Sequence, residues 1–144
     1  SWDDVKLLTV RIDRLTQWHR LGLLCIGDAA HAMSPIGGVG INLAIQDAVA
    51  TANLLHEPLQ HGAPSVSELH AVQRRREFPT RATQRLQVFM QNRVIYRTLR
   101  GGATPSLLFA RLLRDYPILN RIPARLVGMG FRPEHVQSPD VGRT

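Results

Sequence analysis

Residues 23–48 read LLCIGDAAHAMSPIGGVGINLAIQDA, and the fold turns on how this stretch is divided. It opens on LLCI, a short run that is apolar on both faces and bounded by Gly22 and Gly27, the pattern of a strand buried between helix layers. Asp28 follows at the C-terminal end of that strand, which is where open α/β sheets bind ligands. From Ile41 onward, Ile41, Ala44, Ile45, Ala48, Val49, Ala52 and Leu55 keep the spacing of one helical face. Between strand and helix, Gly37, Gly38 and Gly40 let the backbone take positive φ and let a ligand approach without Cβ atoms in its way.

The loop delivers the chain to a helix start. The first N–H groups there, expected near Ile41 and Asn42, lack helical partners, and the helix dipole adds about half a positive charge. Such an end suits a phosphate, a carboxylate or a delocalised ring anion. A triphosphate loop would need Gly-Lys-Ser/Thr at the helix start, where this chain has Gly40-Ile41-Asn42. The dinucleotide fingerprint G-x-G-x-x-G fails as well, because GVGINL places Leu43 where the third glycine belongs.

A longer pattern does match. GDAAH followed by Pro35, Gly37, Gly40, Asn42 and Asp47, in this order and spacing, resembles the second FAD motif of the flavoprotein monooxygenases of the para-hydroxybenzoate hydroxylase type. The resemblance is dense over residues 27–48 and looser across most of the chain. It implies that Asp28 accepts a hydrogen bond from a ribityl hydroxyl of FAD and that Pro35 lies beside the reacting face of the flavin. It further implies that Gly37, Gly38 and Gly40 make room for the ring while Ile41 and Asn42 present backbone N–H groups to N1 and the C2 carbonyl. No residue of the motif is assigned as certainly catalytic. His31 is expected to fix the loop by hydrogen bonding rather than to act as a base, and Asp47 is expected to be structural. Taken singly, Asp28 reads as a turn residue and Asn42 as a first-turn polar group; only the shared spacing carries the functional reading.

For a whole enzyme of this type, the resemblance implies FAD reduced by NAD(P)H, followed by dioxygen activation and hydroxylation of a small organic substrate. A flavin-dependent reductase or halogenase on the same scaffold is the alternative. The family's N-terminal G-x-G-x-x-G unit and its Asp-Gly motif are not found in this sequence, and Ser1 opens on what reads as a strand under way. The expected fold class is therefore α/β, the C-terminal part of an FAD-binding Rossmann-like domain whose remaining N-terminal part is a partner. Residues 1–18 would be the end of a substrate-domain sheet with a crossing segment, 19–58 the closing strand and helix of the FAD domain, 59–127 a helical C-terminal region, and 128–144 an irregular tail.

Outside the motif, residues 5–15 alternate partly between apolar and polar, as a half-buried strand would. Pro58 is expected to end the first helix. Ser65 and Glu68 match a capping box, which predicts a second helix that Pro79 ends or kinks. A third helix is expected over 80–99, with Ala82, Leu86, Met90 and Val94 as its apolar face and Phe89 alongside. Two shorter helices, divided by Pro117, would follow.

The formal charge of +7 is carried by arginine, since Lys6 is the sole lysine. That balance raises a different class of function, a non-catalytic basic module on nucleic acid or an anionic membrane. Only QRRREF is dense, however, and aromatic residues that could stack on bases are sparse beside it. A solvated helix face, or pairing with acidic groups elsewhere, is the preferred reading, so no nucleic-acid partner is expected. No run reaches the roughly 18 apolar residues that span a bilayer, although a peripheral membrane contact stays open. Cys25 is the single cysteine and reads as a buried reduced thiol of a cytoplasmic protein, with no metal site of its own.

Overall fold

The computed structural model describes residues 11–35, 38–92 and 117–137. Two antiparallel ribbons come first. β1 (Asp13–Arg14) pairs with β4 (His31–Ala32), and β2 (His19–Arg20) pairs with β3 (Leu23–Leu24). Gly22, at φ 75°, takes the left-handed position that the tight β2–β3 turn needs. A 3-10 turn at Gly27–Ala29 joins β3 to β4. Three helices complete the described fold: α1 (Val39–His61), α2 (Val66–Met90) and α3 (Pro117–Met129).

The apolar run after Gly22 is less covered than a strand between helix layers would be. Leu23 is 54% exposed, and Leu24, Cys25 and Ile26 are half-buried. Among the described residues its ladder partner is β2, antiparallel to it. Of the expected strand over 5–15, the described part pairs at Asp13–Arg14 with β4, and residues 1–10 lie outside the described residues.

Neither proline ends its helix. Pro58 sits inside the last turn of α1, which continues to His61 and stops at Gly62, φ 136°; the boundary drawn at residue 58 therefore falls within a helix. Pro79 lies in the middle of α2, so the second and third expected helices are one. A proline removes one N–H from the ladder and crowds the turn before it. Here its ring is fully buried, and Thr80 Oγ1 donates to the Arg76 carbonyl at 2.9 Å beside the break. The start of α2 follows expectation: Ser65 Oγ accepts from Glu68 N–H, and Ser65 N–H donates to Glu68 Oε2 at 2.7 Å.

The face that α2 buries is mostly polar. Leu69, Val72, Gln73, Arg76, Pro79, Thr80, Thr83, Gln84 and Gln87 are its buried residues, mostly at helical three- and four-residue spacing. The expected stripe is only partly covered: Phe89 is 58% and Met90 38% exposed, while Ala82 and Leu86 are half-buried. Val94 and the segment from 93 to 116 lie outside the described residues. Leu55 on α1 meets Leu69 and Val72 on α2 in a small apolar core, with Leu24 packed against it. Beyond that core most buried side chains of α2 are polar, and its glutamines bind backbone. Gln73 accepts from Trp18 N–H at 2.9 Å and donates to the Thr16 carbonyl at 3.0 Å. Gln84 donates to the carbonyls of Asp13 and Ala32, and Gln87 to that of Ser34.

Among the described residues after α3, 130–137 form no helix or strand but are tied down. Gly130, at φ 74°, caps α3 through its N–H to the Leu126 carbonyl at 3.0 Å. Asn53 on α1 donates to the His135 carbonyl and accepts from Gln137 N–H, both at 2.8 Å. No helix among the described residues is long and apolar enough to cross a membrane.

Candidate functional site

A groove of about 980 Å³ opens between the 27–35 segment and the first three turns of α1. Asp28, Pro35, Gly38, Gly40 and Ile41 all line it, so the fold brings five of the expected residues to one place. Gly37 lies outside the described residues. Asn42 does not line the groove; its side chain donates to the Gly128 carbonyl at 3.3 Å. Asp28 stands in the Gly27–Ala29 turn with its residue exposed. A carboxylate so placed offers acceptor positions to any hydroxyl in the groove.

The helix start lies two residues ahead of Ile41. Gly38 is the N-cap at φ 62°, its N–H spent on the Pro35 carbonyl at 3.2 Å. The first helical residues Val39, Gly40 and Ile41 hold the N–H groups without helical partners, while the Asn42 N–H falls within the ladder. The need for glycine also differs along the loop. Gly38 occupies the left-handed region, whereas Gly40 sits in the helix, where an added Cβ would meet Met33 Cβ at an ordinary 3.7 Å. Glycine at 40 serves the open space of the groove rather than backbone freedom. Ile41 and Ile45 are 72% and 56% exposed and, with Ala44 and Ala48, give the groove an apolar flank beside its polar end.

Beneath the groove lies a buried polar network. His31, Asp47 and Arg76 are at most 1% exposed. Asp47 Oδ2 accepts from His31 Nε2 at 2.6 Å and from Gly27 N–H at 3.1 Å, and Oδ1 accepts from Arg76 Nε at 2.8 Å. Burial by itself would raise the Asp47 carboxyl, but the hydrogen bonds from His31 and Arg76, with that of Gly27, outweigh it and hold the group below its ordinary value of 3.8. His31 is placed as the sequence suggested, fixing the loop: it bonds Asp47, and its ring lies tilted against that of Trp18 with centroids 5.2 Å apart. Its one hydrogen-bonded nitrogen faces α1 and not the groove.

A model of the FAD-binding domain family matches residues 1–86, more than half of the chain and all of the groove. This chain belongs to the FAD-binding domain family. Over 126 residues the FAD-binding chain is 43% identical to 6-methylpretetramide 4-monooxygenase of Streptomyces rimosus, covering 88% of this chain and 30% of that protein. It is 30% identical over 128 residues to the FAD-dependent monooxygenase atmM of Aspergillus flavus, with coverages of 87% and 25%. A third relative, the FAD-dependent monooxygenase idtM of Claviceps paspali, is 33% identical over 118 residues, 81% of this chain and 23% of its own length. The chain thus spans less than a third of the length of these curated relatives.

Some residues of this FAD-binding domain escape a reading by hydrophobic period. Arg76, within RRREF, is fully buried, and Arg75 forms a two-point pair with Glu134 at 2.7 and 3.1 Å. That pair raises the Arg75 guanidinium above its ordinary value. Two arginines of the dense basic run, Arg75 and Arg76, are thereby paired within the chain. Arg11 also lines the groove. The signal for Arg76 was present as a period of polar residues along α2, at 73, 76, 80, 83, 84 and 87.

Proposed function

We propose that the groove holds the isoalloxazine and ribityl part of FAD, as one wall of the cofactor site in an NAD(P)H-dependent monooxygenase that hydroxylates an organic substrate. The observation that carries this reading is the convergence in one groove of Asp28, Pro35, Gly38, Gly40 and Ile41. FAD is an elongated group with a hydroxylated chain, an apolar ring and a region that gains negative charge on reduction. The residues present fit each part: an exposed carboxylate for a hydroxyl, the flank of Ile41 and Ile45 for the ring, and unpaired helix N–H groups for the charge.

Bound there, FAD would supply the redox chemistry, accepting reducing equivalents from NAD(P)H and activating dioxygen. The chain's own residues orient and stabilise. Asp28 would fix the ribityl chain, and the Pro35 carbonyl and ring would border the reacting face. The N–H groups of Gly40 and Ile41 would favour the reduced over the oxidised state, because only the former carries charge toward them. Glycine at 38 and 40 keeps side chains out of the space the ring needs. The three relatives are all monooxygenases by name, which favours hydroxylation over a reductase or halogenase outcome. In this reading a further part of the same enzyme binds the adenosine half and covers the groove, residues 1–18 close a substrate-domain sheet, and the enzyme works in the cytoplasm.

The test is FAD affinity of the full-length enzyme with Asp28→Ala. Loss of a charged acceptor should weaken binding by about 1 to 3 kcal/mol with the melting temperature nearly unchanged. Unaltered affinity would remove Asp28 from the cofactor site and this reading with it.

A further inference from the structure

Residues 128–134 are distant in sequence from the groove, yet they close the network beneath it. Arg76 donates from Nε to Asp47 Oδ1 and from Nη1 to the Arg132 carbonyl at 3.0 Å, so one buried guanidinium joins α1 to the segment after α3. Glu134 adds a second hold, at 3.4 Å from Arg76 Nη1. The other oxygen of Asp47 holds Gly27 N–H, the first residue of the turn that carries Asp28. Independently, Gln46 on α1 donates to the Met129 carbonyl at 2.8 Å, beside the Asn42 contact to Gly128. Both attachments grip the part of α1 that lines the groove.

The chemistry of these contacts bears on their purpose. Val127, Met129 and Phe131 are 37%, 39% and 38% exposed, so this segment is held by directional polar contacts more than by apolar burial. A guanidinium is a rigid planar fork and cannot follow one partner without turning away from the other. Movement of the 132–134 backbone is therefore passed to the Asp47 carboxylate and from there to the Gly27–Ala29 turn.

We propose that residues 128–134 are a positioning element of the flavin site, acting through Arg76 and Asp47 on the turn that carries Asp28. This rests on the flavin reading given above. The experiment compares the parent enzyme with Glu134→Gln and with a deletion from residue 132 onward. Amide hydrogen exchange reports on the turn, and FAD affinity and the visible circular dichroism of bound flavin report on the site. The deletion should speed exchange across residues 27–31 about tenfold and weaken FAD about tenfold, the size of one charge-assisted hydrogen bond, with a changed flavin spectrum. Glu134→Gln should move each readout less, in the same direction, while exchange around Leu69 and Val72 stays at the parent rate. Unchanged exchange at residues 27–31 would overturn the proposal. So would faster exchange with parental FAD affinity and flavin spectrum, since the segment would then be structural alone. A parent enzyme that binds no FAD is a different failure, that of the flavin reading itself, and is seen before any variant is compared.

Discussion

Replacing Asp47 by asparagine is the sharpest test of the buried network, because it changes charge at almost constant shape. Three donors converge on the carboxylate: Gly27 N–H, His31 Nε2 and Arg76 Nε. Asparagine offers one acceptor oxygen and one NH₂ group. With its oxygen toward Gly27 and His31, the NH₂ faces the Arg76 donor; turned the other way, it leaves Gly27 N–H without an acceptor. Removing one partner of a buried ion pair costs about 3 to 5 kcal/mol, because the other charge stays desolvated. Arg76 keeps contacts to Glu134 Oε1 at 3.4 Å and Gln46 Oε1 at 3.3 Å, which places the expected loss near the lower end, ~3 kcal/mol. Urea unfolding followed by far-ultraviolet circular dichroism reads this as a midpoint lowered by about 1 M or more at unchanged slope. The double variant Asp47→Leu with Arg76→Met should be less destabilised than Asp47→Asn, since it buries no lone charge. A loss below about 1 kcal/mol for Asp47→Asn, or a double variant worse than the single, would refute the assignment of Asp47 as counter-ion to Arg76.

The same carboxylate gives an acid limb of known sign. Its folded value lies below 3.8, so its contribution is complete above that pH and is lost as pH falls through the folded value; stability against urea should drop on acidification below 3.8 and the drop should be shallower in Asp47→Asn. The two glycines of the loop should separate by variant. Gly38→Ala, at φ 62° with open space around it, should cost about 1 to 2 kcal/mol in thermal or urea unfolding through backbone strain alone. Gly40→Ala, inside α1 with its Cβ 3.7 Å from Met33, should leave stability equal or up to about 1 kcal/mol higher while weakening FAD; a strongly destabilised Gly40→Ala would mean the helix does not start at Val39.

How much of this was legible in the sequence depends on which force shaped each part. The helix face of Ile41, Ala44, Ile45 and Ala48, the capping box at Ser65 and the gathering of Asp28 with Pro35 and the glycines follow from local rules, and the structure places them together. Neither proline ended its helix. At Pro58 and Pro79 the loss of one ladder bond is local, whereas the packing of the surrounding helix is shared over many turns, and in α2 the proline ring itself is buried. The apolar stripe from Ala82 to Met90 misled for another reason: period shows that a helix has two faces, and hydrophobicity is then used to decide which is inward. On α2 that second step fails, because what it covers is backbone.

Strands of two residues leave most of their N–H and C=O groups without ladder partners, and buried orphans of this kind each cost free energy. A leucine face laid over them would trap those groups dry. Glutamine, which carries a donor and an acceptor at the end of a short flexible stem, can bind two backbone groups at once. Gln84 does so by joining the Asp13 and Ala32 carbonyls across β1 and β4, and Gln73 does so at Thr16 and Trp18. Gln87 extends the row to Ser34, next to Pro35 at the edge of the groove. The segment that borders the groove is thus held from behind by side chains of one helix as well as by its pairing with β1. Backing by a helix covers one side of residues 32–35 and leaves the other open, where these residues line the groove.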